Sequence, residues 1–143
     1  MIGYFLIATL ALGFFMLLRR VRRRMHLSEE FPIKIVGESH YQDALARICG
    51  GANESGHTLF CEASLHPESD NPADSNAVRV EIQGNKVGYL QKMNAKRYRK
   101  IFAEDVTKVP AVIRGGWDRG GDRTGMFGVT LKLELPNLSE RRR

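Results

Sequence analysis

Hydrophobic and polar residues alternate along much of this chain, which is the two-residue period of half-buried β-strands. The alternation is clear in residues 31–37 (FPIKIVG) and 56–66 (GHTLFCEASLH). The run NAVRVEIQGNKVGYL alternates on both sides of Gly84-Asn85, which indicates a hairpin with its turn at those two residues. The runs TKVPAVIRGG and GMFGVTLKLELP alternate as well, on either side of a glycine-rich connection. The pattern predicts about six short strands.

Two other segments follow the 3.6-residue spacing of helices. In YQDALARICGG, the residues Leu45, Ile48 and Cys49 share a face with Tyr41. The two glycines that follow are a typical stop signal. We therefore expect a short first helix between the first two strands.

A second helix is predicted from Met93 to Glu104, because apolar and basic residues separate onto opposite faces there. The apolar face consists of Tyr98, Ile101 and Phe102, and the basic face of Lys92, Lys96, Arg99 and Lys100. Short strands with frequent turns favour a closed, strongly bent sheet over a parallel α/β fold. The predicted fold class is mainly β with short helices (α+β), as a small barrel or a closed sheet of about six strands.

The N-terminal end carries an uncharged apolar run, IGYFLIATLALGFFMLL, at Ile2–Leu18. A membrane-spanning helix needs roughly 20 apolar residues, with a working range of about 17 to 25. A cleaved signal peptide is the alternative, but its basic residues precede the apolar run, whereas here they follow it. The sequence therefore predicts a single transmembrane helix before the barrel. The basic residues after it are Arg19, Arg20, Arg22, Arg23 and Arg24.

This arginine run determines the predicted orientation, because basic residues stay on the cytoplasmic side of a membrane. We expect a single-pass protein of the inner (cytoplasmic) membrane, with its domain in the cytoplasm and its arginines on anionic lipid headgroups. The predicted organisation is an anchor with the arginine run at residues 1–24, a linker at 25–30, a domain at 31–136 and a basic tail at 137–143.

The formal net charge of +6 is concentrated at the two ends of the chain. Between Leu27 and Ser139, 14 Lys and Arg face 15 Asp and Glu, so the body is nearly neutral. An acidic ligand of the domain must therefore be attracted by a local patch. Cys49 and Cys61 are too few for a disulfide framework and predict reduced thiols, although one bridge between them stays open.

The sequence also lacks the usual signatures of catalysis. It has no phosphate-binding glycine loop, no nucleophile elbow and no zinc-type pairing of His and Cys. The loop GGWDRGGDRTG has the glycines but opens no helix, which is typical of a hairpin loop, and Trp117 within it either stacks on a base or rests on the barrel. We expect a binding protein and not an enzyme, with no catalytic residues, metal or cofactor.

Three stretches are similar to the pattern of a HIRAN domain: FPIKIVGESHYQDAL, SLHPESDNPADSNAVRV and GNKVGYLQKMNAKRY. The family has a Val-Gly step before an aromatic pair, then an Asp-Asn-Pro-x-Asp-x-Asn-Ala motif, and later a Val-Gly-Tyr/His-Leu step. The chain resembles such a domain, of the stand-alone bacterial kind, from Phe31 to Leu135. The resemblance implies a small six-stranded OB-like or SH3-like β-barrel. It also implies binding of the 3′ end of single-stranded DNA, a property associated with DNA repair.

The resemblance also implies roles for individual residues. Asp74 matches the acidic residue that accepts a hydrogen bond from the terminal 3′-hydroxyl, and Lys92 matches a lysine that meets a backbone phosphate. Ala73 stands where the family commonly has an aromatic residue, and His40 replaces another one. Stacking is worth about 1–3 kcal/mol per base, so both changes weaken a DNA pocket. With the basic helix face included, the candidate DNA-binding residues are His40, Tyr41, Asn71, Asp74, Tyr89, Lys92 and Lys96.

Two functions stay open from the sequence alone. The first is a module that binds single-stranded DNA ends, which the intact motif and the basic helix favour. The second is a module that contacts a protein partner or the membrane surface and has a degenerate DNA pocket, which Ala73 and the nearly neutral body favour. Structural interpretations also exist: Asp74 as a turn residue, the helix cations as a solvated face, and Tyr89 and Tyr98 as core.

Overall fold

A computed structural model of the protein describes residues 13–22 and 29–136, and the chain divides into two units between Glu30 and Phe31. Residues 13–22 are helical. The predicted anchor at Ile2–Leu18 begins outside the described residues, and the predicted basic tail, Arg23 and Arg24 also lie outside them. Among the residues that are described, no helix combines the length and hydropathy that a membrane crossing needs.

The second unit is a closed barrel of six antiparallel strands. The strands are β1 Ile33–Val36, β2 His57–Pro67, β3 Val78–Ile82, β4 Asn85–Leu90, β5 Thr107–Gly115 and β6 Gly128–Leu131. Around the barrel their order is β1-β4-β3-β2-β5-β6. A 3₁₀ helix (Glu38–Tyr41) and the helices α1 (Gln42–Cys49) and α2 (Lys92–Phe102) complete it. The predicted α+β barrel is confirmed.

The core follows the alternation of the strands. Ala63 and Leu65 of β2 are fully buried, whereas Leu59 and Cys61 are half-buried because the pairing of β3 with β2 ends opposite Ala63. Tyr98 of α2 packs into the same core and is completely buried. Its hydroxyl donates to the carbonyl of Asp105 at 2.8 Å, so its one polar atom is satisfied.

The hairpin turn between β3 and β4 lies one residue earlier than the sequence predicted. Ile82 pairs with Asn85, so the turn residues are Gln83 and Gly84, with φ of 52° and 73°. Two left-handed residues give a two-residue turn whose twist matches that of the strands. The Asn85 side chain donates to the Gln83 carbonyl at 3.0 Å and thereby holds this corner. The prediction of Gly84-Asn85 was wrong because Gln rarely adopts a positive φ.

Helix α2 also differs from its prediction, since it spans Lys92–Phe102 and ends before Glu104. Its buried positions are Ala95 and Tyr98, and Phe102 packs beside them. Ile101 was placed on the apolar face, but it is 38% exposed. The buried stripe follows positions 95, 98 and 102, and Ile101 lies at its margin.

Gly88 allows β1 and β4 to meet where the barrel closes. A Cβ atom at this position would lie 2.6 Å from the carbonyl oxygen of Val36 and 2.9 Å from Cδ1 of Ile35. Val36 and Ile35 pair with the two residues that follow Gly88. The Val-Gly step of β4 is therefore required by the close approach of two backbones.

Candidate nucleic-acid interface

The motif loop, residues 68–77, connects β2 to β3 and is held by its own side chains. Oδ1 of Asn71 accepts the backbone N–H groups of Ala73 at 2.9 Å and Asp74 at 3.3 Å. Oδ1 of Asp74 accepts the backbone N–H of Asn76 at 2.9 Å. These are the turns that Asn and Asp favour. Within the part of the chain that is described, the second oxygen of Asp74, Oδ2, has no hydrogen-bond partner.

Glu68 ties the motif loop to the sheet. Its carboxylate accepts hydrogen bonds from Asn71 Nδ2 at 2.9 Å, Arg79 Nη1 at 2.6 Å and the Tyr89 hydroxyl at 3.2 Å. Burial by itself raises the pKa of Glu68, but these three hydrogen bonds and the charge of Arg79 together outweigh it, so the pKa lies below its ordinary value. Glu68 therefore stays ionised, and one carboxylate fixes the base of the loop, β3 and β4 together.

The predicted aromatic residues gather around a lysine. Lys86 Nζ lies 4.5 Å from the ring centre of Tyr89 and 5.5 Å from that of Tyr41. An interaction with the Tyr89 hydroxyl raises the pKa of Lys86, burial opposes it, and the Tyr41 hydroxyl adds to it. His40 is exposed and meets Tyr41 edge-on at 6.4 Å. The arrangement presents rings together with one cation, which suits a base and its neighbouring phosphate.

Helix α2 brings cations beside the motif loop. Arg99 Nη2 donates to Ser69 Oγ and to Glu104 Oε1, and Ser69 Oγ donates to Glu104 at 2.7 Å. Lys96 is exposed and lines a pocket with Asn76 of the loop. Lys92 is exposed in the first turn of the helix. Among the described residues, neither lysine forms an ion pair, so both charges are available to a ligand.

The structure thus brings six of the seven predicted site residues into one region. Asn71 and Asp74 shape the motif loop, and Tyr89 joins it through Glu68. Tyr41 is linked to Tyr89 through Lys86, and His40 meets Tyr41. Lys96 reaches the loop at the pocket, while Lys92 stands apart from these contacts. The interpretation of Asp74 as a turn residue is confirmed for one of its two oxygens.

Two predictions about aromatic packing are also decided. Tyr98 is core, as predicted, whereas Tyr89 is half-buried with its hydroxyl on Glu68. Trp117 packs on its own loop: a Cβ at Gly125 would lie 2.0 Å from its indole nitrogen, and the Arg119 guanidinium lies 5.0 Å from its ring centre. Trp117 therefore helps to fold the glycine-rich loop.

Sequence reasoning missed four residues of this interface: Glu68, Asn76, Lys86 and Arg99 as a loop contact. Glu68 follows β2 directly, and Lys86 lies in β4, at positions that the alternation leaves outside the core. A polar residue at such a position normally faces solvent. The alternation therefore predicts that it is exposed but does not identify the residue that it contacts. Only the barrel register brings β3 and β4 under the motif loop.

The described residues contain no group of three or more His, Cys, Asp and Glu side chains arranged to hold a metal ion. Cys49 and Cys61 are free thiols. Burial, and to a lesser degree the proximity of Cys49, raises the pKa of Cys61 to about 11. A thiol with such a pKa is a poor nucleophile near neutral pH.

Among the comparisons with known proteins, the one with family models found a match. A search of the curated proteins and a search of the solved structures each returned no match. The family model described as the HIRAN domain matches residues 29–122, which includes β1 to β5, both helices and the whole motif loop. The chain therefore belongs to the HIRAN domain family.

Proposed function

We propose that this HIRAN protein binds the 3′ end of single-stranded DNA at the motif loop. HIRAN domains are in general modules that bind nucleic acid, and single-stranded DNA in particular. The observation that carries the finer proposal is the state of Asp74. One of its oxygens fixes the turn, and the other has no partner among the described residues. A carboxylate oxygen in a fixed position is a suitable acceptor for a terminal hydroxyl.

The neighbouring residues support a strand that leaves this point along the barrel. Tyr41, Tyr89 and His40 offer rings for stacking, and Lys86 adds a cation between two of them. Lys92 and Lys96 contact phosphates as point charges. Binding by these groups breaks no covalent bond, so the proposed role is recognition without turnover.

The test compares two ends of the same oligonucleotide on the full-length chain in a neutral detergent. We expect a short strand with a free 3′-hydroxyl to bind at least tenfold more tightly than the same strand with a 3′-phosphate, because Asp74 accepts from the first and repels the second. Asp74→Ala should abolish the preference. Asp70→Ala is the matched control, because Asp70 is an exposed acid of the same loop. Equal affinity for both ends would contradict the proposal.

A second candidate function rests on DNA-binding groups that the motif loop does not offer to a ligand. Ala73 offers no ring, and both polar atoms of the Asn71 side chain are used inside the loop. Both observations favour contact with a protein partner or the membrane surface through a degenerate DNA pocket. A salt titration separates the two functions. DNA binding that weakens steeply with salt and is reduced by Lys92→Glu, but not by replacing the arginine run, supports the first.

Membrane attachment is a separate proposal for the N-terminal unit. It rests on the uncharged run Ile2–Leu18 and on the arginines after it. In the described helical residues 13–22, Phe14, Phe15 and Leu17 are more than half exposed. We expect the full-length protein to sediment with inner membranes and to resist an alkaline wash. Replacing Arg19, Arg20, Arg22, Arg23 and Arg24 by Gln should weaken binding to anionic vesicles, and release by the alkaline wash alone would exclude a spanning anchor.

A further inference from the structure

A pocket of about 440 Å³ lies between the motif loop and helix α2. Three of the six described residues that line it are cationic. The six are Asn76, Lys96, Arg99, Lys100, Ala103 and Glu104. Lys96 and Lys100 are four residues apart, so they follow each other on one helix face, about 6 Å apart along the axis. Glu104 is the only acid in the lining, and the pocket therefore has an excess of positive charge.

Arg99 is held at the pocket with part of its hydrogen-bonding capacity unused. Only 12% of its side chain is exposed. Its Nη2 atom donates to Ser69 and Glu104. Its Nη1 atom is buried and, within the described part of the chain, has no hydrogen-bond partner. A buried guanidinium nitrogen without an acceptor is costly, so an anion that drew this side chain into the pocket would supply the missing acceptor.

We propose that this pocket binds one phosphate group, and that the group is an internal backbone phosphate of the strand whose 3′ end lies at Asp74. The proposal rests on the proposed function and extends it from the strand end to the strand interior. Guanidinium groups match the geometry of phosphate oxygens. The two lysines add positive charge and act as point charges, so their attraction does not depend on orientation. Three cations and no aromatic ring stand among the described lining residues, which favours a phosphate over a base as the occupant.

Glu104 competes with the phosphate for Arg99. Its carboxylate occupies Nη2 of Arg99, while 65% of its side chain is exposed to solvent. An arriving phosphate therefore either shares Arg99 with Glu104 or displaces it. Removing the charge of Glu104 favours the phosphate in both cases, so this residue lowers the affinity of the pocket.

The test uses the full-length chain in a neutral detergent with two probes, inorganic phosphate and a series of 3′-hydroxyl oligonucleotides of increasing length. The double variant Lys96→Gln/Lys100→Gln removes two exposed charges from the pocket. The matched control is Lys34→Gln/Lys108→Gln, which removes two exposed charges elsewhere on the barrel. We expect the pocket variant to lose measurable binding of inorganic phosphate and to bind long strands about fivefold more weakly. The slope of log affinity against log salt should become shallower by about 0.7, because the pocket holds one phosphate.

The variant Glu104→Gln should change the affinity in the opposite direction. We expect it to strengthen the binding of inorganic phosphate and of long strands by about threefold, because Arg99 is released from its partner. If the Ser69–Arg99–Glu104 contacts were only structural, this variant would lower the thermal midpoint and leave both affinities unchanged. That result would overturn the proposal.

The outcomes also separate this proposal from the proposed function. Strand binding that keeps its dependence on the 3′-hydroxyl, but is equal in the pocket variant and the wild type, overturns the phosphate pocket and the phosphate contact of Lys96. End binding at Asp74 then stands. Binding of inorganic phosphate that the pocket variant loses, together with no strand binding by the wild type, overturns end binding and the strand as the source of the phosphate. Loss of inorganic phosphate binding together with weaker binding of long strands, in the pocket variant and not in the control, supports the proposal.

Discussion

The motif loop and the basic face of helix α2 lie side by side but use their polar groups in opposite ways. In the loop, the Asn71 side chain accepts hydrogen bonds from the backbone of Ala73 and Asp74 and donates one to Glu68. On the helix, the exposed lysines have no ion-pair partner among the described residues. The loop is therefore organised before any ligand arrives, and the helix keeps its charge available.

This difference separates two kinds of contribution. A residue whose hydrogen bonds are satisfied inside the fold affects binding through the shape of the loop, and its loss also lowers stability. A solvated cation affects binding through charge, and its loss leaves stability almost unchanged. Substitutions in the two regions should therefore give different combinations of stability and affinity, which the following predictions examine.

The largest effect is expected for Glu68→Ala. Arg79, Asn71 and Tyr89 all lose their common acceptor, and we expect the free energy of unfolding to fall by about 2–3 kcal/mol. Chemical denaturation would measure the loss. Glu62→Ala removes an exposed carboxylate paired with Lys108 and should change stability by less than about 0.5 kcal/mol. Equal losses in both variants would show that Glu68 does not organise the loop.

The next largest effect is expected for Asn71→Ala, which removes the acceptor of two backbone N–H groups and one donor to Glu68. We expect a loss of about 1–2 kcal/mol in unfolding free energy. The preference for a 3′-hydroxyl should fall with it, because Asp74 loses its support. A stable variant that has lost the preference would instead make Asn71 a direct ligand contact.

The charge of Glu68 gives the loop a pH dependence. Its folded pKa lies below the value of an unfolded Glu, about 4.3, so its ionised form stabilises the fold above that pH. This contribution is lost as the pH falls through the folded pKa. We expect the difference in unfolding free energy between wild type and Glu68→Gln to shrink between pH 7 and pH 3. A difference that stays constant over this range would exclude the titration of Glu68 as its cause.

The smallest effect on stability is expected on the helix, for Lys92→Gln. The midpoint of unfolding should be unchanged, because Lys92 is exposed. Binding to a short single strand should weaken about threefold, with the salt slope shallower by about 0.7. Titrations at several salt concentrations would measure both, with Lys108→Gln as control. A fall in the unfolding midpoint would remove the contrast between helix and loop.

Much of the barrel could be predicted from the sequence because its signals are local. Alternation located the strands. Gly50 ends α1 in a left-handed conformation, as the Gly-Gly stop predicted, and its backbone N–H donates to the carbonyls of Ala46 and Arg47. The turn at Gln83 could not be predicted in the same way, because Gln carries no signal for a positive φ. The exposure of Ile101 likewise depends on which neighbours α2 meets.

The site was less predictable because its contacts join distant parts of the chain. Tyr89 lies 21 residues after Glu68, and Arg99 lies 30 residues after Ser69. The motif itself identified Asp74 and Asn71, because local turns hold both. Lys86 had no such signal, since only the barrel register brings it between Tyr41 and Tyr89.

The seam at Gly88 has a consequence for how motifs of this kind are interpreted. Any larger residue there would push β1 away from β4 at the backbone of Val36. The close approach of β1 and β4 thus requires the Val-Gly step, and this requirement is independent of the ligand that the barrel binds. The presence of the Val-Gly step therefore indicates a barrel that can close. The ligand is determined by the side chains around it.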